Sequence, residues 1–411
     1  MVFRNSTHIT KLSQLFNSLL FKPLRIPALF FALIACALAM YWGFSTTQPL
    51  PCGGPGDCVK YTAMSEAFQN NTFPSIEYPF NIRILSPWLA SQLSDSAANG
   101  FSSLTFISFL AFVVAWYFVA KELRFETHAF IFLTVWFLVH PLGIHFYYSV
   151  RELVDPLAYA LIATTVYFYI KRKNTLFFAT ILVALFEKES FLFILGIAVA
   201  TESYCHYLGH TSRKNYVKFL AAALLTALTY KLIIHFVQQF LFASPDQGSI
   251  LKTVTYWWRA ARHDPNRFLV WIGAFFCITG TLIAILPKKW PASSKEEIRR
   301  SIFLSLGAVG FFVLGLTGGA DMSRIMFNGI IFTYSAIFYI ARESSEKTLI
   351  LMVYAASILI SITYTSYFPS TFEYGYYATK NITQVTAFVI CTIIALIALR
   401  KAFKENLNNS I

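Results

Sequence analysis

The feature that most constrains this chain is a series of about twelve apolar runs, separated by short polar stretches, over most of its length. An α-helix of about 20 residues crosses the roughly 30 Å hydrocarbon core of a bilayer. Because every backbone polar group in hydrocarbon needs a partner, such runs form helices. The sequence therefore predicts an all-α fold, a polytopic transmembrane helical bundle that forms a single transmembrane domain over residues 1–411. The predicted spans are 26–44, 102–120, 128–146, 156–170, 175–186, 191–204, 216–236, 268–286, 301–317, 325–341, 348–366 and 383–399.

Composition and charge agree with a membrane-embedded chain. Hydrophobic residues make up 56% of the sequence and charged residues only 13%, whereas about a quarter of a typical soluble domain is charged. The net charge of +13 is explained better by basic loops on the cytoplasmic side of a membrane than by binding to nucleic acid. No nucleic-acid partner is therefore predicted. The first apolar run lacks a small-residue cleavage site, so we expect a retained span and not a signal peptide.

Two of the predicted spans, 175–186 and 191–204, are short and flank a charged stretch, Glu187-Lys188-Glu189. We interpret 175–204 as a broken or re-entrant pair of helices, which is tolerated where protein or water covers the turn. This interpretation gives about 11 to 12 spans. Charges at membrane depth cost about 2.5 to 3.5 kcal/mol each. The three charged residues therefore either neutralise one another or line an aqueous cavity.

The distribution of basic residues predicts the orientation of the chain. If the N-terminus is cytoplasmic, most of the 33 Lys and Arg residues fall in loops on the cytoplasmic side, as the positive-inside rule requires. The sequence thus predicts a multi-pass integral membrane protein with both termini in the cytoplasm. The opposite face is called the outside below.

The first outside loop, residues 45–101, contains an unusual combination of charged, aromatic and proline residues. Asp57 lies four residues before Tyr61, and Arg83 lies between the aromatic and proline-rich stretches Tyr78-Pro79-Phe80 and Pro87-Trp88. Flexible linkers contain few aromatic residues. This loop is therefore predicted to form interfacial helices that hold one carboxylate and one guanidinium in place.

The six cysteines and the histidines give little indication of a metal site. Only Cys52 and Cys58 share a loop, and they form a disulfide if that loop faces an oxidising space, or remain free thiols otherwise. The sequence contains neither a CxxC nor an HExxH motif, so no zinc site is predicted.

Two further regions bring charged residues to the outside. Arg151 and Asp155 lie four apart before Pro156, and they pair with each other if the following helix extends back through them. In the outside amphipathic segment 237–267, Arg259 and the nearby Arg262 have two interpretations. Their guanidinium groups hold a lipid phosphate, or the segment is an interfacial anchor with Trp and Tyr at headgroup depth.

A glycine-rich turn joins two of the later spans. Asp321 and Arg324 follow Gly318-Gly319 at the mouth of the next helix, where Asp321 is suited to cap the helix or to pair locally. The whole set is typical of a membrane-facing site for an anionic headgroup with a carboxylate nearby. Its members are Asp57, Arg83, Arg151, Asp155, Lys188, Arg259, Arg262, Asp321 and Arg324.

Several of these stretches resemble bacterial polytopic proteins related to the GT-C glycosyltransferases. The resemblance implies a multi-span enzyme of the bacterial inner (plasma) membrane that moves a sugar from a polyprenyl-phosphate-linked donor to a glycan or lipid acceptor. It also implies a catalytic carboxylate in the first outside loop, a role that falls on Asp57. The stretches that carry it are Gly56-Asp57-Cys58-Val59-Lys60-Tyr61, Pro79-Phe80-Asn81-Ile82-Arg83-Ile84-Leu85-Ser86-Pro87-Trp88-Leu89, Arg151 to Pro156, Lys188-Glu189 and Gly318 to Arg324.

The chemistry of such a transfer suggests roles for the gathered residues. The acceptor hydroxyl needs a base, for which Asp57 is the candidate, and the departing phosphate needs cations. Since phosphate is a good leaving group, no metal or other cofactor is predicted. The candidate phosphate-binding residues are Arg83, Arg151, Lys188, Arg259 and Arg324, and the candidate supporting residues are Tyr61, Asp155 and Asp321.

Alternatives remain for the function and for Asp57. Asp57 is equally suited to cap the helix that starts near Cys58. The chain as a whole is alternatively a polysaccharide polymerase, or a transporter or flippase of a lipid-linked or anionic solute, which also uses broken helices and buried charge. Membrane lipids are expected partners under every interpretation.

Overall fold

The computed structural model describes residues 21–47, 57–72, 74–140, 142–144, 146–242, 250–264, 266–286, 294–317, 322–341, 347–367 and 382–409. These residues are almost entirely helical, and they contain no strand beyond an isolated bridge between Pro23 and Glu126. The predicted all-α helical bundle is therefore confirmed.

The helices follow the order of the predicted spans, with additional short helices between them. They are α1 (Ile26–Thr46), α2 (Asp57–Asn70), α3 (Leu85–Leu93), α4 (Ala97–Glu122), α5 (Thr127–Val139), α6 (Phe146–Ser149), α7 (Asp155–Ile170), α8 (Asn174–Ala184), α9 (Ser190–Tyr207), α10 (Arg213–Leu241), α11 (Ile250–His263), α12 (Asn266–Thr279), α13 (Lys295–Thr317), α14 (Met322–Phe327), α15 (Ile330–Ala341), α16 (Lys347–Tyr367) and α17 (Ile382–Asn409).

Length and composition identify this bundle as that of a membrane protein. Within the described residues, five helices are long and apolar enough to cross a bilayer, namely α1, α4, α10, α13 and the first part of α17. Shorter apolar helices fill most of the other predicted spans. Two segments of the predicted extramembrane regions are also helical, since α2 and α3 lie in 45–101 and α11 lies in 237–267. The interfacial position of these helices stays a prediction.

The predicted break between the two short spans is present. The helix α8 ends at Ala184 and α9 begins at Ser190. Glu187 in the intervening turn is fully buried, and Lys188 is almost so. Protein therefore covers the turn, which is the condition under which a helix break is tolerated at membrane depth.

Aromatic packing fills the middle of the bundle. The helix α4 packs along α7, and Phe112 of α4 stacks on Phe137 of α5 with ring centroids 4.2 Å apart. Nearer the beginning of α5, Phe132 stacks on Tyr354 of α16 at 4.0 Å. Offset-stacked rings contribute beyond the area that they bury. These contacts hold the long helices side by side, so that their ends come together in two separate groups.

The helix α13 separates two charged ends of the bundle. It contains 23 residues, and at 1.5 Å per residue it is about 35 Å long, close to the thickness of a bilayer. Arg299 lies near its beginning, and Arg324 follows its end on α14. We call these two ends of the bundle the Arg299 end and the Asp57 end, because Asp57 contacts Arg324.

Charge pairs close the Arg299 end. Arg299 is buried and donates hydrogen bonds to Glu202 of α9 (3.1 Å) and to Glu296 (2.7 Å). Arg300 of the same helix forms an ion pair with Glu122 at the end of α4 (2.8 Å). Arg172, after α7, also reaches Glu296 (2.6 Å). Four helices are therefore tied together at this end.

Candidate functional site

The charged turn between α8 and α9 is the centre of the Asp57 end. No ion pair joins the side chains of Glu187, Lys188 and Glu189 to one another in the part of the chain that the structure describes. Instead, each side chain contacts a different element. Mutual neutralisation, one of the two interpretations from the sequence, is therefore wrong, because the tight turn directs three consecutive side chains to three partners.

Glu187 holds the beginning of α3. The Ser86 N–H donates to Glu187 Oε2 (3.0 Å) and the Ser86 hydroxyl donates to Glu187 Oε1 (2.5 Å). The adjacent Leu85 N–H donates to the carbonyl of Phe186 (3.0 Å). The first N–H groups of a helix have no partner within the helix. The charged turn thus supplies the N-terminal cap of α3 from a distant part of the chain.

Glu189 holds Arg83. The Arg83 guanidinium donates from Nε to Glu189 Oε2 (2.9 Å) and from Nη2 to Oε1 (2.5 Å), and its Nη1 donates to the Tyr61 hydroxyl (2.9 Å). A guanidinium matches a carboxylate in this two-bond arrangement. Arg83, predicted to bind phosphate, is therefore engaged by Glu189 and Tyr61 in this structure.

Lys188 holds Asp155, the first residue of α7. The Lys188 ammonium donates to Asp155 Oδ1, and both side chains are almost fully buried. Asn328, between α14 and α15, lies within 3.4 Å of both groups and donates to the Arg324 carbonyl (2.8 Å). A buried ion pair needs such additional hydrogen bonds to offset the cost of desolvation.

Arg324 links Asp155 to Asp57. Its Nη2 donates to Asp57 Oδ2 (2.6 Å), and its Nε lies 3.6 Å from Asp155 Oδ2. Asp57 is the first residue of α2, and its side chain is 31% exposed, compared with 2% for Asp155. Tyr61 lies one turn farther along α2. The helix α2 therefore connects the Asp57–Arg324 pair to Arg83.

We call this group of side chains the Asp57 cluster. Its cations and carboxylates are equal in number, because each of its three cations is paired with a carboxylate of the group. Burial alone raises the pKa of Asp57, but the Arg324 and Arg83 guanidinium groups outweigh it and hold the pKa below its usual range. Asp57 is therefore a carboxylate at neutral pH. The members of the cluster are Asp57, Tyr61, Arg83, Asp155, Lys188, Glu189, Arg324 and Asn328.

The predicted pair between Arg151 and Asp155 is wrong. The helix α7 begins at Asp155, so the four-residue spacing does not place the two side chains on one helical face. Arg151 instead donates to the carbonyl oxygens of Phe44 and Thr47 (both 3.2 Å), at the end of α1, and lies over the Phe44 ring. Its contacts hold α1 and do not reach the Asp57 cluster.

Other predicted residues lie away from the Asp57 cluster or outside the described residues. Arg259 is exposed on α11, and no ion pair or hydrogen bond connects it to the described part of the chain. Asp321 lies outside the described residues. Cys58 is disulfide-bonded, whereas its predicted partner Cys52 lies outside the described residues.

Three residues of the site had no assigned role in the sequence analysis: Asn328, Glu187, which holds Ser86, and Glu189, which holds Arg83. The Asn328-Gly329 dipeptide inside an apolar run is a helix-breaking signal, and it marks the break between α14 and α15.

In the described residues, no group of three or more His, Cys, Asp or Glu side chains is arranged to hold a metal ion.

No protein-family model and no curated protein matches this chain.

Proposed function

We propose that this protein is a membrane glycosyltransferase that moves a sugar from a polyprenyl-phosphate donor to an acceptor hydroxyl. The observation that carries the proposal is the contact between the Asp57 carboxylate and the Arg324 guanidinium. These residues are 267 positions apart in the sequence, yet they meet in a partly exposed position at one end of a bundle of apolar helices. A base beside a phosphate-binding cation is what such a transfer requires.

The proposed reaction is a displacement at the anomeric carbon of the sugar. The acceptor oxygen forms a bond to this carbon, and the bond between the carbon and the phosphate oxygen breaks. The polyprenyl phosphate leaves with the electron pair, and Asp57 takes the proton of the acceptor hydroxyl. The negative charge on the phosphate grows from about one to about two, and Arg324 stabilises the growing charge.

Exposure favours Asp57 over Asp155 as the base. The Asp57 side chain is 31% exposed and Asp155 is 2% exposed. Asp155 also contacts Lys188, Asn328 and Arg324, so a substrate hydroxyl does not reach it. We assign Asp155 and Lys188 to the support of Arg324, and Glu189 to the support of Arg83 and Tyr61.

The proposal places the Asp57 end on the non-cytoplasmic face of a bacterial inner membrane. The basic residues Arg172, Arg299 and Arg300 lie at the opposite end of the bundle, and basic residues accumulate in the cytoplasm. Both termini are then cytoplasmic. A lipid-linked donor in the outer leaflet reaches the cluster, and a glycan or lipid acceptor comes from the cell envelope.

A transporter of a lipid-linked or anionic solute is the second candidate. It is favoured by the buried Lys188–Asp155 pair next to the break between α8 and α9, since transporters place broken helices and paired charges around their substrates. A polysaccharide polymerase remains the enzymatic alternative, and it differs in adding repeat units to a growing chain.

Purified protein in lipid nanodiscs, incubated with a panel of radiolabelled polyprenyl-phosphate sugars, tests the proposal. We expect transfer by the parent and a loss of roughly 10² to 10⁴ in rate for Asp57→Asn. Asp95→Asn is the matched control, because Asp95 is an exposed carboxylate in the same predicted loop.

The alternatives predict other results. Movement of the lipid-linked sugar across a vesicle bilayer without transfer supports a transporter. A folded Asp57→Asn variant that transfers sugar at the parental rate shows that Asp57 is not the base, and its role is then confined to the ion pair with Arg324.

A further inference from the structure

We propose that Asp57 and the lipid phosphate compete for Arg324, so that the phosphate releases the Asp57 carboxylate as it binds. The inference rests on the proposed function, because it concerns the same site and the same polyprenyl phosphate. It adds that Asp57 stays paired with Arg324 until the phosphate binds, and that binding of the phosphate makes the carboxylate available as a base.

The charges of the Asp57 cluster are balanced. Each cation of the Asp57 cluster already contacts a carboxylate: Arg83 with Glu189, Lys188 with Asp155, and Arg324 with Asp57. Among the described residues, the cluster has no cation in excess of its carboxylates. An anionic ligand that binds one of these cations therefore competes with the carboxylate already paired with it.

Asp57 is held less firmly than the other two carboxylates. Glu189 is held by two hydrogen bonds from Arg83, and Asp155 is buried among Lys188, Asn328 and Arg324. Asp57 contacts Arg324 through a single oxygen and has the most exposed side chain of these three carboxylates. Separating a partly exposed ion pair costs less than separating a buried one, because no uncompensated buried charge is left behind. Asp57 is therefore the group that a phosphate displaces.

The ion pair with Arg324 weakens Asp57 as a base. Three charged groups face it: Arg324 from α14, Arg83 from the turn before α3, and Asp155 from α7. The two guanidinium groups lower the proton affinity of Asp57, which makes the paired carboxylate a weak base. A phosphate bound to Arg324 separates its guanidinium from Asp57 and places a negative charge nearby. Both changes raise the proton affinity of the released carboxylate.

The competition makes an unusual prediction for binding. Removing the charge of Asp57 removes the competitor, so Asp57→Asn binds polyprenyl monophosphate more tightly than the parent, by roughly threefold to tenfold. The measurement is a titration of polyprenyl monophosphate into protein held in phosphatidylcholine nanodiscs, followed by calorimetry or by native mass spectrometry. Asp95→Asn removes an exposed carboxylate from the same predicted loop, and we expect parental affinity for it.

A double-mutant comparison shows whether Arg324 mediates the effect. In the background of Arg324→Gln, the Asp57→Asn change no longer increases the affinity, because the guanidinium for which Asp57 and the phosphate compete is absent.

Melting temperatures of all variants without ligand show whether each is folded. A folded Asp57→Asn variant that binds the lipid phosphate as weakly as the parent, or more weakly, overturns the inference, as does an equal gain in Asp95→Asn. Absence of binding in both the parent and Asp57→Asn overturns it as well.

The two proposals fail in different ways. If the parent transfers sugar while Asp57→Asn gains no affinity for the lipid phosphate, the competition is wrong and the proposed function stands. If Asp57→Asn gains affinity but the parent transfers sugar from none of the donors, the competition stands and the glycosyltransferase proposal is wrong.

Discussion

Arg83 shows how much depends on the shape of a single side chain. Its guanidinium contacts Glu189 by two parallel hydrogen bonds and Tyr61 by a third. An ammonium group carries the same charge but does not reproduce this planar geometry. The contact joins the turn before α3 to the break between α8 and α9, so its loss acts on the arrangement of both segments.

We expect Arg83→Lys to destabilise the protein by about 1 to 3 kcal/mol, because hydrogen bonds between charged groups are lost although the charge is kept. The measurement is the melting temperature in detergent. Lys60→Arg is the control, since Lys60 forms a more exposed pair with Glu77 (2.9 Å), and exposed pairs contribute little. An equal melting temperature for parent and Arg83→Lys contradicts the structural role.

The lowered pKa of Asp57 predicts a dependence of stability on pH. A carboxyl whose pKa is lower in the folded chain than its value of about 3.9 in the unfolded chain contributes stability above about pH 4. This contribution is lost as the pH falls through the lowered value. We therefore expect the melting temperature of the parent to fall more steeply below about pH 4 than that of Asp57→Asn. Parallel curves for the two proteins contradict the prediction.

At the scale of helices, the position of α3 depends on a close approach to α4. A Cβ atom at Gly100 of α4 would overlap the carbonyl oxygen of Ala90 in α3. Backbone atoms do not move aside as a flexible side chain does. The helix α3 is also held at its beginning by Glu187 and Phe186. A larger residue at position 100 therefore strains the segment that carries Arg83.

We expect Gly100→Ala to lower the stability by about 1 to 3 kcal/mol through this overlap. The matched control is Gly196→Ala in α9, where a Cβ meets no atom within 4 Å. Alanine is favoured over glycine inside a helix by up to about 1 kcal/mol, so the control keeps or raises the parental melting temperature. Equal effects of the two substitutions would show that α3 and α4 do not approach closely.

At the scale of the whole molecule, charge pairs hold the bundle at both ends and aromatic rings hold it between them. The Arg299 end ties α4, α7, α9 and α13 together. The Asp57 cluster joins α2, α7 and α14 to the turn between α8 and α9. The helix α7 has one end in each group. Because α13 separates the groups by about 35 Å, the two ends are expected to face opposite sides of the membrane.

Labelling of single cysteines in a cysteine-free background tests this orientation. Asp95→Cys and Lys173→Cys replace exposed residues at the Asp57 end and the Arg299 end, respectively. We expect a membrane-impermeant maleimide added to intact cells to label position 95 and not position 173, which reacts only after the membrane is opened. Labelling of position 173 in intact cells contradicts the proposed orientation.

The amino-acid sequence by itself determined the helices and the position of the break between α8 and α9. These features are local, because about 20 consecutive apolar residues or a short charged turn decide them. The sequence also identified Asp57, Arg83, Asp155, Lys188 and Arg324 as candidates, but not their partners. Only the tertiary structure paired Asp57 with Arg324, 267 positions away, and directed Arg151 to the end of α1 instead of to Asp155. Pairing depends on which helix ends meet after packing, and residue spacing along the chain does not encode that.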